Sequence, residues 1–259
     1  MAYSQILYEV NNRVGRITLN RPDKKNALSR VSMAELVDAF SEARDDQEVS
    51  LVVVTGAGEE AFCSGADIND FLGKDTQGKR EQNDIYCRVC KAFMEVGKPL
   101  IGAVNGLALA GGCGLTLLCD FVISTDKARF GFPEINVGVF PMMVMANLFK
   151  VVGKRRGLDL VLTGKIIDAA EAERIGLINQ VVPRGDLPLA VDKLVSRLLQ
   201  LSPAILRLGK EASVSSADMT APQALDYLRE MATLVLLTED AKEGLEAFLA
   251  KRKHSWKGR

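Results

Sequence analysis

Residues 5–10 and 13–19 mix β-branched and aromatic residues with polar ones and read as two strands, and a turn-rich loop from Asn20 to Ser29, carrying Pro22 and Asp23, comes after them. Ser32 and Glu35 have the spacing of a capping box, which predicts a helix opening there with Met33, Leu36, Val37 and Phe40 as its apolar stripe. Leu51 to Thr55 is a short β-branched run and predicts a buried strand. A polar amphipathic helix over about 79–96 and a strand over 100–104 come next. Strands alternating with helices predict an α/β layered fold. From Met143 onward the pattern is helical almost throughout, interrupted at Val181-Val182-Pro183 and at Ser202-Pro203. With no long linker or charge block, the expectation is a core over residues 1–195 and a helical C-terminal region over 196–259.

The chain has 259 residues, 47% of them hydrophobic, long enough to bury a full core without staples. Its 33 basic and 33 acidic residues cancel, which argues against nucleic acid as a partner, because phosphate binding needs a clustered basic face. An odd count of five cysteines, behind an N-terminus with no basic-then-apolar signal, points to a reducing cytoplasm. The ending Trp256-Lys257-Gly258-Arg259 matches no peroxisomal or retention address. A lone histidine, His254, disfavours multi-histidine metal sites and histidine-based triads.

Three motifs point away from the chemistry they superficially suggest. Between Lys98 and Asp120 lie 21 uncharged residues, long enough to cross a bilayer, but five glycines, Pro99 and Asn105 interrupt them, so a buried strand, loop and helix is expected and no membrane. Gly56-Ala57-Gly58-Glu59-Glu60-Ala61 follows a strand and matches a dinucleotide fingerprint, yet its two carboxylates would face the pyrophosphate and no helix is predicted after it. Cys87 and Cys90 form a CxxC inside an amphipathic helix, with no second pair to complete a zinc site.

The informative segments are two glycine-rich loops without phosphate-motif lysines, and one acid. Phe62-Cys63-Ser64-Gly65-Ala66-Asp67-Ile68 is a small-residue loop that enters a helical turn at Ile68-Asn69-Asp70, and Ala108 to Leu115 leads through Gly111 and Gly112 into an apolar helix expected over Leu115 to Cys119. One N–H from each loop would make an oxyanion hole; close packing alone is the other reading of the glycines. Glu134 stands among Phe132, Pro133, Ile135 and Val137. Burial there would raise its pKa and let it exchange protons, whereas an exposed turn would leave it an ordinary surface glutamate.

Taken together these segments resemble the enoyl-CoA hydratase/isomerase (crotonase) family. The resemblance rests on Asn20-Arg21-Pro22 with Asn26-Ala27-Leu28, on Ser64 to Ile68, on Lys98-Pro99 with Ala103-Val104-Asn105-Gly106, on Ala110 to Cys113, and on Phe130-Gly131 with Pro133-Glu134. It continues through Leu162-Thr163-Gly164, Ala169 to Ala172, Gly176-Leu177, Val181-Val182-Pro183, Glu243-Gly244 and Ala247-Phe248, so it spans nearly the whole chain. It implies a crotonase-like spiral of repeated ββα units with a helical C-terminal oligomerisation region, assembled as a homotrimer or a hexamer, and an acyl-CoA thioester substrate with no separate cofactor and no metal. By resemblance the backbone N–H groups of Ala66 and Gly111 hold the thioester oxygen as it becomes an enolate. Lys25, Ala27, Ser64, Ala66 and Ile68 align with the coenzyme A path, and Phe248 and Lys251 with positions that close over its nucleotide end, often from a neighbouring subunit.

Two departures qualify that picture. Family hydratases usually carry a second glutamate where this chain has Gly114, and water addition uses one carboxylate to activate water and another for the α-proton. A single carboxylate, Glu134, still moves a proton between two carbons on one face, so the residues favour an enoyl-CoA isomerase, with a hydratase as the alternative and a non-catalytic acyl-CoA-binding homologue as a third reading. On the same logic an acid restored at position 114 is expected to raise water addition. Phe140-Pro141-Met142-Met143-Val144-Met145 replaces small residues common in relatives; Met142 and Met143 read either as a flexible apolar wall for the acyl chain or as a packed helix start.

Overall fold

The computed structural model of the protein describes residues 3–70 and 72–259. In chain order the strands and helices are β1 (Ile6–Asn11), β2 (Val14–Leu19), α1 (Arg30–Asp45), β3 (Leu51–Gly56), β4 (Ala61–Cys63), α2 (Thr76–Glu95), β5 (Leu100–Val104), β6 (Leu107–Leu109), α3 (Gly111–Thr116), β7 (Phe121–Thr125) and β8 (Arg129–Gly131). They continue as α4 (Met145–Val152), α5 (Lys154–Thr163), β9 (Ile166–Asp168), α6 (Ala169–Arg174), β10 (Gln180–Val182), α7 (Leu187–Leu199), α8 (Pro203–Ser216), α9 (Ala221–Leu236) and α10 (Glu239–Leu249).

The chain forms two compact units, Met1–Val96 with Leu100–Lys193, and Gly97–Pro99 with Leu194–Arg259. In the first, a six-stranded sheet runs β1-β2-β3-β5-β7-β10, antiparallel only between β1 and β2. Its central strand β5 is buried at every residue and the Leu-Val-Val-Val start of β3 likewise, which is why these strands read as unbroken apolar runs. A smaller sheet runs β4-β6-β8-β9. Three times in succession, β3 then β4, β5 then β6, β7 then β8, a strand of the large sheet is followed by one of the small sheet and then, after a loop, by α2, α3 or α4. These are the repeated ββα units expected from the sequence.

The parallel pairing of β4 with β6 and of β6 with β8 decides where chemistry can occur. Parallel neighbours end on the same side of the sheet, so the segments after Cys63, Leu109 and Gly131 emerge together. Ligands of parallel sheets bind outside such carboxyl ends.

Helix α1 opens earlier than the capping-box spacing suggested. Ser29, not Ser32, is the N-cap: its hydroxyl accepts the Ser32 N–H at 3.1 Å. Glu35 is engaged elsewhere, accepting the N–H groups of Ser4 at 2.8 Å, Gln5 at 2.8 Å and Ile6 at 3.2 Å. Partial burial works to raise its pKa, but these hydrogen bonds prevail and hold it below the usual glutamate range. The apolar stripe of α1 packs on α2, with the Phe40 and Phe93 rings 4.1 Å apart between centroids. Helix α2 starts at Thr76 behind its N-cap Asp75, and α3 starts at Gly111 rather than at Leu115.

Two asparagines fasten the four-residue β3–β4 connection. Asn26, 2% exposed and in a left-handed conformation (φ 54), donates to the carbonyls of Ala57 at 2.9 Å and Ala61 at 2.7 Å and accepts the Arg21 N–H at 3.0 Å. Asn105 donates to the Gly56 and Gly58 carbonyls at 3.0 and 2.8 Å. The Gly56–Ala61 segment therefore leads into strand β4, and no helix starts there to hold a pyrophosphate. In the second unit Asp240, 1% exposed, accepts the Ser202 hydroxyl at 2.5 Å and the N–H groups of Lys257 and Gly258, fastening the C-terminal residues to the start of α8.

Asn26→Ala removes three hydrogen bonds to backbone groups that are buried or partly buried and places alanine in a left-handed conformation. Urea unfolding should show a loss of about 1–3 kcal/mol or more, the usual consequence of orphaned buried polar groups. An unchanged midpoint would show that the β3–β4 connection does not depend on this side chain.

Candidate functional site

Of the three segments gathered at the ends of β4, β6 and β8, the first is Ser64 to Ile68. Leu28 pairs with Ala66 in a parallel bridge: the Leu28 N–H donates to the Gly65 carbonyl at 2.8 Å and the Asp67 N–H to the Leu28 carbonyl at 2.9 Å. Peptide groups alternate in direction along an extended segment, so the Ala66 N–H points away from Leu28. The second segment is the start of α3. Ala110 carries φ 52 and ψ −130, a conformation that costs a non-glycine residue of order 1–3 kcal/mol, and its N–H is held by the Gly131 carbonyl at 2.9 Å. Gly111 is the first helical residue, where an N–H has no partner within the helix.

The two segments touch backbone to backbone. A Cβ on Gly65 (φ +102) would lie 2.7 Å from the Ala110 Cβ and 3.5 Å from the Gly111 nitrogen, and one on Gly112 would lie 2.3 Å from the Cys63 carbonyl oxygen. Any side chain at either position drives the segments apart. The glycines therefore do pack closely, and that packing is what brings Gly111 beside the Ser64–Ile68 loop.

Glu134 lies in the third segment, in a 3-10 turn over Pro133–Val137 that closes on Gly138 with φ 76. It is half-buried, and its Oε2 is enclosed without a hydrogen-bond partner among the described residues. Burial pushes its carboxyl above the usual glutamate range, and its own backbone N–H offsets this only in part. Of its apolar neighbours in sequence only Phe132 belongs to the core; Val137 is 69% exposed. Glu134 also stands close enough to α3 to act on Cys113, whose thiol burial pushes up to about 12, the glutamate charge adding to it.

Another acid near these ends is already committed. Asp67 pairs with Arg21 at 3.0 Å, and although its burial works upward, hydrogen bonds from Arg21 and Asn69 hold it below the usual aspartate range. Arg21 in turn donates to the Ala27 carbonyl at 2.7 Å. Among the remaining positions of this region, Ala27 and Ser64 are half-buried and Lys25 and Ile68 exposed. The Lys25 ammonium reaches Glu60 at 3.9 Å. Phe248, 81% exposed, and Lys251 belong to the second unit. Met142 is 64% exposed, and Met143 places its sulfur 3.4 Å from the Cys87 thiol of α2. Neither methionine is a packed core residue.

At Gly114 the structure adds what the sequence did not reveal. A Cβ there would lie 2.4 Å from the Tyr86 hydroxyl oxygen and 2.8 Å from Cγ1 of Val144. An acid introduced at position 114 would therefore meet overpacking, since Tyr86 and Val144 already fill the space its side chain would enter. Tyr86 is a residue that sequence reasoning missed. The signal that could have found it is an aromatic residue on the buried face of α2, together with Ile85, Val89 and Phe93.

Known proteins are similar over this whole arrangement. The model of a family described as enoyl-CoA hydratase/isomerase matches residues 9–259. A probable enoyl-CoA hydratase of Rhizobium meliloti is 40% identical over the full length of both chains, and the 2,3-dehydroadipyl-CoA hydratase of Escherichia coli is 38% identical over 99% of this chain and 100% of its own. Among solved structures, an enoyl-CoA hydratase subunit from Geobacillus kaustophilus superposes with a TM-score of 0.93 at 37% identity, over 99% of each chain. Strand order, glycine contacts and the extent of similarity agree, and the chain belongs to the enoyl-CoA hydratase/isomerase, or crotonase, family.

Proposed function

We propose that this protein shifts the double bond of an enoyl-CoA thioester, using Glu134 as its single proton carrier. The observation that carries this reading is the enclosed, unpartnered Oε2 of Glu134 beside α3, while Asp67 is paired to Arg21 and Asp70 accepts the Arg30 N–H at 2.8 Å. The thioester oxygen accepts the N–H groups of Ala66 and Gly111. Glu134 takes a proton from C2 of a 3-enoyl-CoA, and the C–H electron pair becomes the C1=C2 bond as the carbonyl pair moves on to the thioester oxygen. When that C=O re-forms, the double bond shifts to C2=C3 while C4 takes the proton back from the same carboxyl, leaving a 2-enoyl-CoA. The oxyanion donors lower the barrier because they bind the oxygen more strongly as its charge grows. Lys25, Ala27, Ser64 and Ile68 border the path of the coenzyme A moiety.

A second reading, water addition to a 2-enoyl-CoA, draws support from the names of the relatives, which are hydratases. It needs a group to activate water in addition to one for the α-proton. Turnover of 3-enoyl-CoA and 2-enoyl-CoA thioesters, measured side by side, separates the two. Binding of acyl-CoA with turnover of neither identifies a non-catalytic homologue.

The same reading includes assembly into a homotrimer or hexamer. Leu225, Leu234, Leu236 and Leu237 on and just after α9, and Leu245, Phe248 and Leu249 on α10, are each at least half exposed, more apolar surface than one chain's own packing requires. Phe248 and Lys251 then serve the coenzyme A of a neighbouring copy. Light scattering at micromolar concentration should give a trimer or hexamer; an active monomer would overturn this part.

For the reaction, Glu134→Gln keeps the shape and removes the base, so kcat should fall by about 10²–10⁴ while acyl-CoA binding is largely kept. Near-normal turnover would remove Glu134 from the mechanism. The pH dependence has a fixed sign. Because the active form is the carboxylate and its pKa is raised, kcat/KM should climb with pH through a midpoint above the usual glutamate value. Between the unfolded and folded pKa values the folded state holds more protons than the unfolded one. The contribution of Glu134 to stability is therefore complete below the unfolded value and lost as pH rises through the folded one. A pH–rate profile and unfolding midpoints of Glu134 and Glu134→Gln proteins check both; an acidic limb that survives the substitution would assign it to another group.

A further inference from the structure

Helix α3 has a poor composition for a helix, Gly-Gly-Cys-Gly-Leu-Thr, and its third glycine faces neither strand β4 nor solvent. It faces Tyr86. The Tyr86 side chain, only 6% exposed, lies along the first turn of α3: a Cβ on Gly111 would meet its Cε2 at 3.1 Å and a Cβ on Gly114 its hydroxyl oxygen at 2.4 Å. The hydroxyl donates to the Gly111 carbonyl at 3.0 Å. The phenol ring is rigid and enclosed, so the clash at Gly114 is not one that a side-chain end can swing away from, and Val144, itself buried, adds a second close contact.

We propose that Tyr86 is a positioning and specificity-determining residue: by holding the Gly111 carbonyl it fixes the backbone of the residue whose N–H, in the preceding peptide, is the oxyanion donor, and it fills the volume from which a second acid on α3 would have to project. The proposal rests on the single-carboxylate reading for its chemical consequence. With a phenol in that volume, water on this side of the substrate meets no carboxylate to activate it, and proton transfer is left to Glu134. Burial holds the phenol far above its usual pKa, and its proton is engaged by the Gly111 carbonyl, so Tyr86 contributes shape and a hydrogen bond and not a base.

A double-substitution cycle on the full-length protein tests this: Tyr86→Phe, Gly114→Ala, and the two together, with thermal unfolding and steady-state kinetics on the thioester that the wild type turns over. Alanine in place of glycine ordinarily strengthens a helix. Here Gly114→Ala alone should lower the unfolding temperature by about 3–10 °C, the usual scale of overpacking in a chain of this size. In the double variant the nearest ring atom is Cζ at 3.7 Å, an ordinary contact, and only the 2.8 Å approach to Cγ1 of Val144 remains, so part of that loss should be recovered. Tyr86→Phe alone should lower kcat roughly 3- to 30-fold, within what one oxyanion donor is worth, with KM changed less than twofold, because Gly111 matters mainly as charge develops.

Additive unfolding shifts, or a Gly114→Ala protein at least as stable as wild type, would overturn the volume-filling role. Unchanged kcat in Tyr86→Phe would overturn the positioning role. The unfolding cycle does not depend on which reaction is catalysed: a wild type that hydrates 2-enoyl-CoA but leaves 3-enoyl-CoA untouched defeats the isomerase reading and leaves the fate of the Tyr86 contacts to the cycle.

Discussion

The backbone contact between the end of β4 and the start of α3 governs the rest of the structure. Two separate segments approach this closely only where no side chain stands at the crossing. Gly65 and Gly112 are the two positions where a Cβ would meet Ala110 or the Cys63 carbonyl inside 3 Å. The small sheet supplies the alignment, because parallel β4, β6 and β8 end side by side. The strained Ala110, held by the Gly131 carbonyl, turns the chain abruptly from strand to helix. Asn26 and Asn105 are two layers further out; they hold the connection that delivers β4 to the crossing.

Against that rigid frame Glu134 is undersolvated. Other acids held close to the protein interior are satisfied: Asp240 by Ser202 and two backbone N–H groups, Asp67 by Arg21 and Asn69. Glu134 has one oxygen enclosed without such help. A carboxylate so placed destabilises the fold in its charged form, and the same property makes it a better proton acceptor than a solvated glutamate. Stability and basicity draw on the same desolvation, which ties the site's pH response to its function.

Much of this was legible in sequence because it is local. Unbroken apolar runs marked β3 and β5, and glycines flanked by small residues marked both loops. Glu134 stood out through its apolar flanks, although Val137 proves exposed and burial comes from Phe132 and the fold around it. What was not legible depends on contacts between distant segments. Ser32 and Glu35 had the spacing of a cap, but Ser29 won the cap and Glu35 found the N-terminus of β1, a partner that only tertiary structure supplies. The start of α3 at Gly111 was hidden because three glycines in six residues argue against a helix; packing overrides propensity there. Whether Ala66 and Gly111 converge is a matter of strand pairing that no spacing within one loop encodes.

The Tyr86 phenol beside α3 has an electrostatic consequence as well as a steric one. Two carboxylates sharing one cleft raise each other's pKa, since the second ionises against the charge of the first. With Tyr86 neutral and Gly114 bare, Glu134 is raised chiefly by burial, and no neighbouring acid appears among the causes of its shift. A lone carboxyl therefore ionises more readily than the second member of a pair. A bare Gly114 and a Glu134 raised by burial are two sides of one arrangement, in which Tyr86 occupies the space beside Gly111 and Gly114.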